Sequence, residues 1–183
     1  MHPRLAAVIE YADRARVELL ATVDSVPQPL REARPTEEAW SVAEILEHLM
    51  IVERGVAKLV ALKLGEMQAL PDPPREAPDD VPVDVAKLRK LADRSTRLPA
   101  PERVLPRGEL SAEEALSALL LSRAALLDQL NAADGYALST ASHPHPFFGP
   151  LDVYEWVYMI GGHELRHMAQ IRDVAAQLAA HSG

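Results

Sequence analysis

Fifteen prolines are the feature that most constrains this 183-residue chain. A proline inside a helix removes a backbone hydrogen bond and clashes with the preceding turn. Long helices can therefore form only in the proline-free windows, roughly 4–26, 36–70, 83–98, 107–143 and 151–183. In the first window Leu5, Val8, Ile9, Ala12, Leu19, Leu20 and Val23 recur at helical spacing between charged residues, which predicts an amphipathic helix. The second opens on Ser41 and Glu44, a capping box that can satisfy two orphan backbone donors, and continues as the stripe Ile45, Leu49, Val52, Val56 and Leu59. A second such box, Ser111 and Glu114, starts a third helix running through Leu116, Leu119, Leu120, Leu126, Leu127 and Leu130, with Asn131 and Gly135 as stop signals. A fourth helix is expected from Gly149-Pro150 to about residue 180, since proline suits a first helical turn. From Leu70 to Pro106 there are eight prolines and one weak helical pattern, Val85, Leu88 and Leu91. This reads as a long, largely irregular crossover. No strand alternation is convincing and aromatics are only 4%. The fold expected is therefore all-α, a four-helix bundle with a long Pro-rich crossover between the second and third core helices, in a single domain spanning 1–183.

Composition narrows the partners. With 19 Lys and Arg against 27 Asp and Glu the formal charge is −8, and no segment gathers a dense basic tract. Nucleic acid and anionic membranes are thus not expected partners. No apolar run approaches the length of a membrane span, and the first residues lack a signal-peptide core, so a cytoplasmic location is expected. There is no cysteine, hence no disulfide, no thiolate zinc site and no cysteine nucleophile. Thiol chemistry here requires a thiol carried by a cosubstrate.

The chemistry-bearing cluster is His163-Glu164-Leu165-Arg166-His167. Residues four apart on a helix project side by side, so the two imidazoles can bind one ion. Counting on from Trp156 gives Ile160, His163, His167, Ile171, Val174 and Leu178, which puts both rings in the apolar stripe that faces the bundle interior. His48 lies on or beside the core stripe of the second helix, next to Glu44, Ile45, Ile51 and Val52. Three imidazoles from two facing helices leave a divalent ion with an open position, as in a catalytic zinc site. Core histidines satisfied by hydrogen bonds, with no metal, are the alternative. His-Glu-x-x-His is also the zinc-protease signature. Against that reading, Gln170 stands where the extended motif has its glycine, and Asp173 is about 240° round a continuing helix from His167.

The chain resembles the DinB/YfiT-like family of metal-dependent enzymes. The matching pieces are Trp40-Ser41-Val42-Ala43-Glu44-Ile45-Leu46-Glu47-His48-Leu49, then His145-Pro146-Phe147-Phe148-Gly149-Pro150-Leu151, then Glu155-Trp156 leading to His163-Glu164-Leu165-Arg166-His167 and Gln170. The resemblance implies a four-helix bundle in which His48, His163 and His167 bind zinc or nickel, with water completing the site. It also implies transferases or isomerases that use a low-molecular-weight thiol such as bacillithiol or mycothiol, and it implies a homodimer.

The activity expected is therefore a metal-dependent transferase acting on a small-molecule substrate with a thiol cosubstrate. The alternatives are a hydrolase acting through metal-bound water and a non-catalytic metal or ligand binder. Among supporting residues, Glu44 and Gln170 are placed to orient the ligands or to be ordinary polar residues. Glu164 is expected as a helix-face charge, with a general base as the alternative, and Arg123 as a snorkelling side chain or an anion contact. Gly161-Gly162 suggests close helix approach or room beside the metal, with loose packing as the alternative. His143 and His145 are expected in a loop, exposed or approaching the open end of the bundle, and Trp40 and Trp156 as core or staple residues.

Overall fold

The computed structural model describes residues 1–78, 82–91 and 99–181. Four helices dominate: α1 (Pro3–Asp24), α2 (Val42–Gln68), α3 (Ala112–Ala132) and α4 (Val153–His181). Helix α1 packs along α4 and α2 along α3, with α2 also touching α4. This is the four-helix bundle the sequence predicts. The prolines fall at helix edges or between helices, and both expected capping boxes form, Ser41 with Glu44 and Ser111 with Glu114. The weak pattern at Val85–Leu91 becomes a short 3-10 helix, Ala86–Leu91; the rest of that window, 92–98, and residues 182–183 of the last lie outside the described residues. No helix among the described residues is long and apolar enough to cross a membrane.

Two local features differ from the sequence reading. Residues 142–152 form a hairpin, with β1 (Ser142–His145) antiparallel to β2 (Gly149–Asp152). Pro144 faces Pro150 across one rung, so the two missing N–H groups fall at the same place in the ladder. Gly149 closes the connection at φ 70°, a conformation glycine adopts without strain. Pro150 therefore belongs to a strand and not to the first turn of α4. The cap of α4 is Asp152: its Oδ1 accepts from Glu155 N at 2.9 Å, and its own N–H donates to Glu155 Oε2 at 2.8 Å.

The apolar core comes in two parts separated by a charged layer. One part contains Leu5 and Val8, Val56 and Val60, Leu126 and Leu130, and Val157 and Ile160. The other contains Leu19 and Val23, Ile45 and Leu49, Ala115 and Leu119, and Ile171 and Val174. Midway along every helix, between the two sets, lies a buried polar residue: Arg16, Glu53, Ser122 with Arg123, and Glu164. Arg16 donates to Glu53 Oε2 at 3.0 Å and to Glu164 Oε1 at 2.5 Å. Arg123 donates to Glu53 Oε1 at 2.6 Å, Glu164 Oε1 at 3.0 Å and Asp13 Oδ1 at 2.7 Å, and Ser122 donates to Glu53. The two guanidiniums and two buried carboxylates cancel in formal charge. This corrects two expectations: Arg123 neither snorkels nor faces a ligand, and Glu164 is not a solvated helix-face charge. A bundle helix is surrounded on more than one side, so the 100° that turns Glu164 off the histidine face turns it towards Arg16 and Arg123.

Close approach explains Gly161. A Cβ there would lie 2.7 Å from Tyr11 Cε1 and 3.1 Å from Ala12 Cα on α1, and Tyr11 is itself stacked on Tyr158 at 4.1 Å between centroids. Gly161→Ala is expected to destabilise by about 1–3 kcal/mol through overpacking. Gly55→Ala, where nothing lies within 4 Å, should gain up to about 1 kcal/mol of helix propensity. Opposite shifts of the denaturant midpoint check both. Glu53→Ala strands two buried arginines and should cost about 3–5 kcal/mol in the same measurement.

Candidate metal centre

His48 projects from α2, one turn beyond the capping box, and His163 and His167 from successive turns of α4. Contact of α2 with α4 closes the gap between them. His48 Nε2 lies 3.2 Å and His167 Nε2 3.1 Å from His163 Nε2, and the candidate donor atoms of all three rings are within 4.8 Å of one another. His48 and His167 are buried and His163 is half-buried.

Hydrogen bonds on the far side of two rings fix their tautomers. His48 Nδ1 donates to the Val104 carbonyl at 2.7 Å. Because a carbonyl only accepts, the neutral ring carries its proton on Nδ1 and bares a lone pair on Nε2. His167 Nδ1 donates to Gln170 Oε1 at 2.8 Å, with the same consequence. Burial lowers the His48 pKa, against the opposing pull of the Val104 bond. Burial drives His163 well below the ordinary imidazole range, and His167, His48 and Arg166 add to the effect. Two lone pairs thus face His163 Nε2, and a single N–H there could satisfy only one of them. A cation satisfies all three nitrogens. Tetrahedral Zn–N bonds of about 2.0–2.1 Å separate neighbouring nitrogens by about 3.3 Å, close to the 3.1 and 3.2 Å found here. The donor set fits a borderline divalent ion such as zinc or nickel.

The rings sit at one wall of a cavity of about 810 Å³, a volume suited to a small-molecule ligand. Trp40 covers two of them, its ring centroid 5.1 Å from His48 and 6.4 Å from His167. The same cavity is lined by Trp156, held by its indole N–H to the His143 carbonyl at 3.3 Å, and by the hairpin residues His145 and Phe148. The structure therefore brings the three histidines of the sequence analysis together and places Gln170 behind His167. It does not place Glu44 behind His48. Burial alone would raise the Glu44 pKa, but Arg34 and Ser41 hydrogen-bond its carboxylate and hold it below the usual range. The orienting group of His48 is instead Val104, in the 3-10 helix Glu102–Val104, 56 residues away in sequence. No local spacing could have disclosed it. His143 and His145 belong to the cavity wall, because the hairpin folds back over Trp156.

Comparison with known proteins places these features in context. The family model of the DinB superfamily matches residues 11–171. The chain is 25% identical over 171 residues to the uncharacterized protein YuaE of Bacillus subtilis (strain 168), a match covering 91% of this chain and 96% of that protein. A crystal structure of TT2238, described as a four-helix bundle protein, superposes with a TM-score of 0.61 at 21% identity, covering 92% of this chain and 98% of that one. The last likeness speaks to the fold alone.

Elemental analysis of untagged protein should find a divalent metal that His48→Ala and His163→Ala both lose. Gln170→Ala removes only the outer partner of His167 and should weaken metal affinity by about 10–100-fold, read by competition with a chromophoric chelator.

Proposed function

The chain belongs to the DinB superfamily, and from that premise we propose that it is a metal-dependent transferase using a low-molecular-weight thiol. The observation that carries this reading is the convergence of three imidazoles on the wall of a cavity large enough for a small molecule. Three protein nitrogens leave room for a further ligand. Zinc or nickel held there would supply the positive charge that lowers the pKa of a thiol beside it. The chain contributes no thiol of its own, having no cysteine.

The protein residues have separable tasks. Val104 and Gln170 keep the lone pairs of His48 and His167 aimed inward. Trp40 excludes water from the outer face of those two rings. Trp156, Phe148 and Val52 offer apolar surface to an electrophilic substrate. In the transfer itself the thiol gives up its proton to solvent. Its sulfur lone pair forms the new carbon–sulfur bond, and the displaced electron pair departs with the leaving group or is protonated on the substrate. Glu38, exposed at the rim, is the single carboxylate lining the cavity among the described residues. The same reading puts the protein in the cytoplasm, where small thiols are kept reduced, as a homodimer.

Zinc- or nickel-loaded protein should accelerate conjugation of bacillithiol, mycothiol or glutathione to monochlorobimane, followed by bimane fluorescence. His163→Ala should return the rate to background. No acceleration with any of the three thiols across varied electrophiles would contradict the proposal.

A further inference from the structure

The first two turns of α2 bury three polar side chains, Glu44, Glu47 and His48, at 5%, 4% and 2% exposure. Two of them are already explained: Arg34 and the capping box hold Glu44, and the Val104 carbonyl holds His48. Glu47 belongs neither to the ionic layer nor to the cavity wall. Burying a carboxylate is costly unless something binds it. What binds Glu47 is the crossover, for Gly108 N–H donates to its Oε2 at 2.9 Å.

Val104 and Gly108 thus tie one short piece of crossover to two consecutive residues of α2, His48 at 2.7 Å and Glu47 at 2.9 Å. Among the described residues these are the polar ties that join residues 102–108 to the helices. The chain between them has little slack. Leu105 is extended at φ −65° and ψ 140°, and Pro106 has its φ fixed by its ring. Gly108, at φ 71°, lies so near α2 that a Cβ there would be 3.2 Å from Glu44 Oε1, an approach that glycine allows. A shift of Gly108 is therefore carried back to the Val104 carbonyl. Hydrogen bonds weaken steeply as their geometry departs from linear. An imidazole released at Nδ1 can move its proton to Nε2, which hides the lone pair facing the other two histidines.

We propose that Glu47 is a positioning residue of the candidate metal centre: by holding the Gly108 amide it keeps the Val104 carbonyl against His48 Nδ1, and so keeps the His48 lone pair on Nε2. The inference rests on the reading of the three histidines as a metal centre and is independent of thiol transfer. Glu47 acts here as a hydrogen-bond acceptor of the right reach and not through its charge. Glutamine, whose amide oxygen accepts equally well, replaces it; aspartate keeps the charge but is one methylene short and does not.

Nitrogen–proton correlation spectra of the imidazoles, recorded on the full-length protein stripped of metal, report the tautomer of His48 directly. Unmodified protein and Glu47→Gln should carry the His48 proton on Nδ1, whereas Glu47→Ala and Glu47→Asp should show a population protonated on Nε2. Zinc affinity, read by competition with a chromophoric chelator, should fall about 10–100-fold in Glu47→Ala and Glu47→Asp and stay near the unmodified value in Glu47→Gln. A His48 proton held wholly on Nδ1 in Glu47→Ala, or a loss in Glu47→Gln as large as in Glu47→Ala, would overturn the proposal, and a lowered unfolding midpoint alone would not support it. The unmodified protein supplies a test free of any substitution. Its Gly108 amide should exchange slowly with solvent, and more slowly with zinc bound, because the ion on Nε2 and the bond from Nδ1 are linked through one ring. A Gly108 amide that exchanges freely, or at a rate indifferent to bound zinc, would overturn the proposal. Tautomers in the expected order in a protein that binds no zinc would remove the metal centre and leave Glu47 as the group that orients His48.

Discussion

The interaction on which the rest depends is the buried ionic layer joining Arg16, Glu53, Arg123 and Glu164 at mid-height in the bundle. Apolar stripes alone tolerate a slip of one helix past another, because one leucine replaces the next at modest cost. A buried charge does not: displaced by a turn, each carboxylate or guanidinium would lose its partner in a low-dielectric interior. The layer takes one residue or more from every helix, so it holds all four in a single register. Glu164 is consecutive with His163, and Glu53 lies little more than one turn past His48. The same register that pairs the charges brings the three imidazoles together. Glu164 is strained in this role. Burial pushes its carboxyl pKa up against the pull of both arginines, and its Oε2 has no hydrogen-bond partner among the described residues.

The candidate metal centre then follows from tautomer control. Each of two rings is tied at Nδ1, one to a backbone carbonyl of the crossover and one to a side chain on its own helix. These ties turn otherwise ambiguous core histidines into aimed lone pairs. The Pro-rich crossover, which looks like mere connection in the sequence, supplies Val104 to the site and Arg103 to the cavity. It is fastened at its start by Glu76, which accepts from Arg4, Ser139 and Tyr154.

Much of this was legible beforehand. Proline-free windows and capping boxes located the helices, because both act within a few residues of chain. The histidines stood out as polar residues inside apolar stripes, and Gln170 was within reach of His167 on the same helix face. The hairpin has no sequence signature because its strands are four residues long, contain proline and lack alternation. Its neighbour Asp152-x-x-Glu155 is a readable capping box that would have moved the start of α4. Arg123 and Glu164 lie beyond the sequence pattern for a different reason: helical periodicity tells which residues leave the apolar stripe, not whether another helix waits there with the opposite charge. The service of Val104 to His48 depends on tertiary proximity and has no local signature.

X-ray absorption at the metal edge, on protein loaded with one equivalent of zinc, tests the central claim most directly. The account requires a first shell dominated by light atoms at about 2.0–2.1 Å, with the outer-ring scattering of three imidazoles. A shell of oxygen neighbours, or scattering from no more than one imidazole, would contradict it.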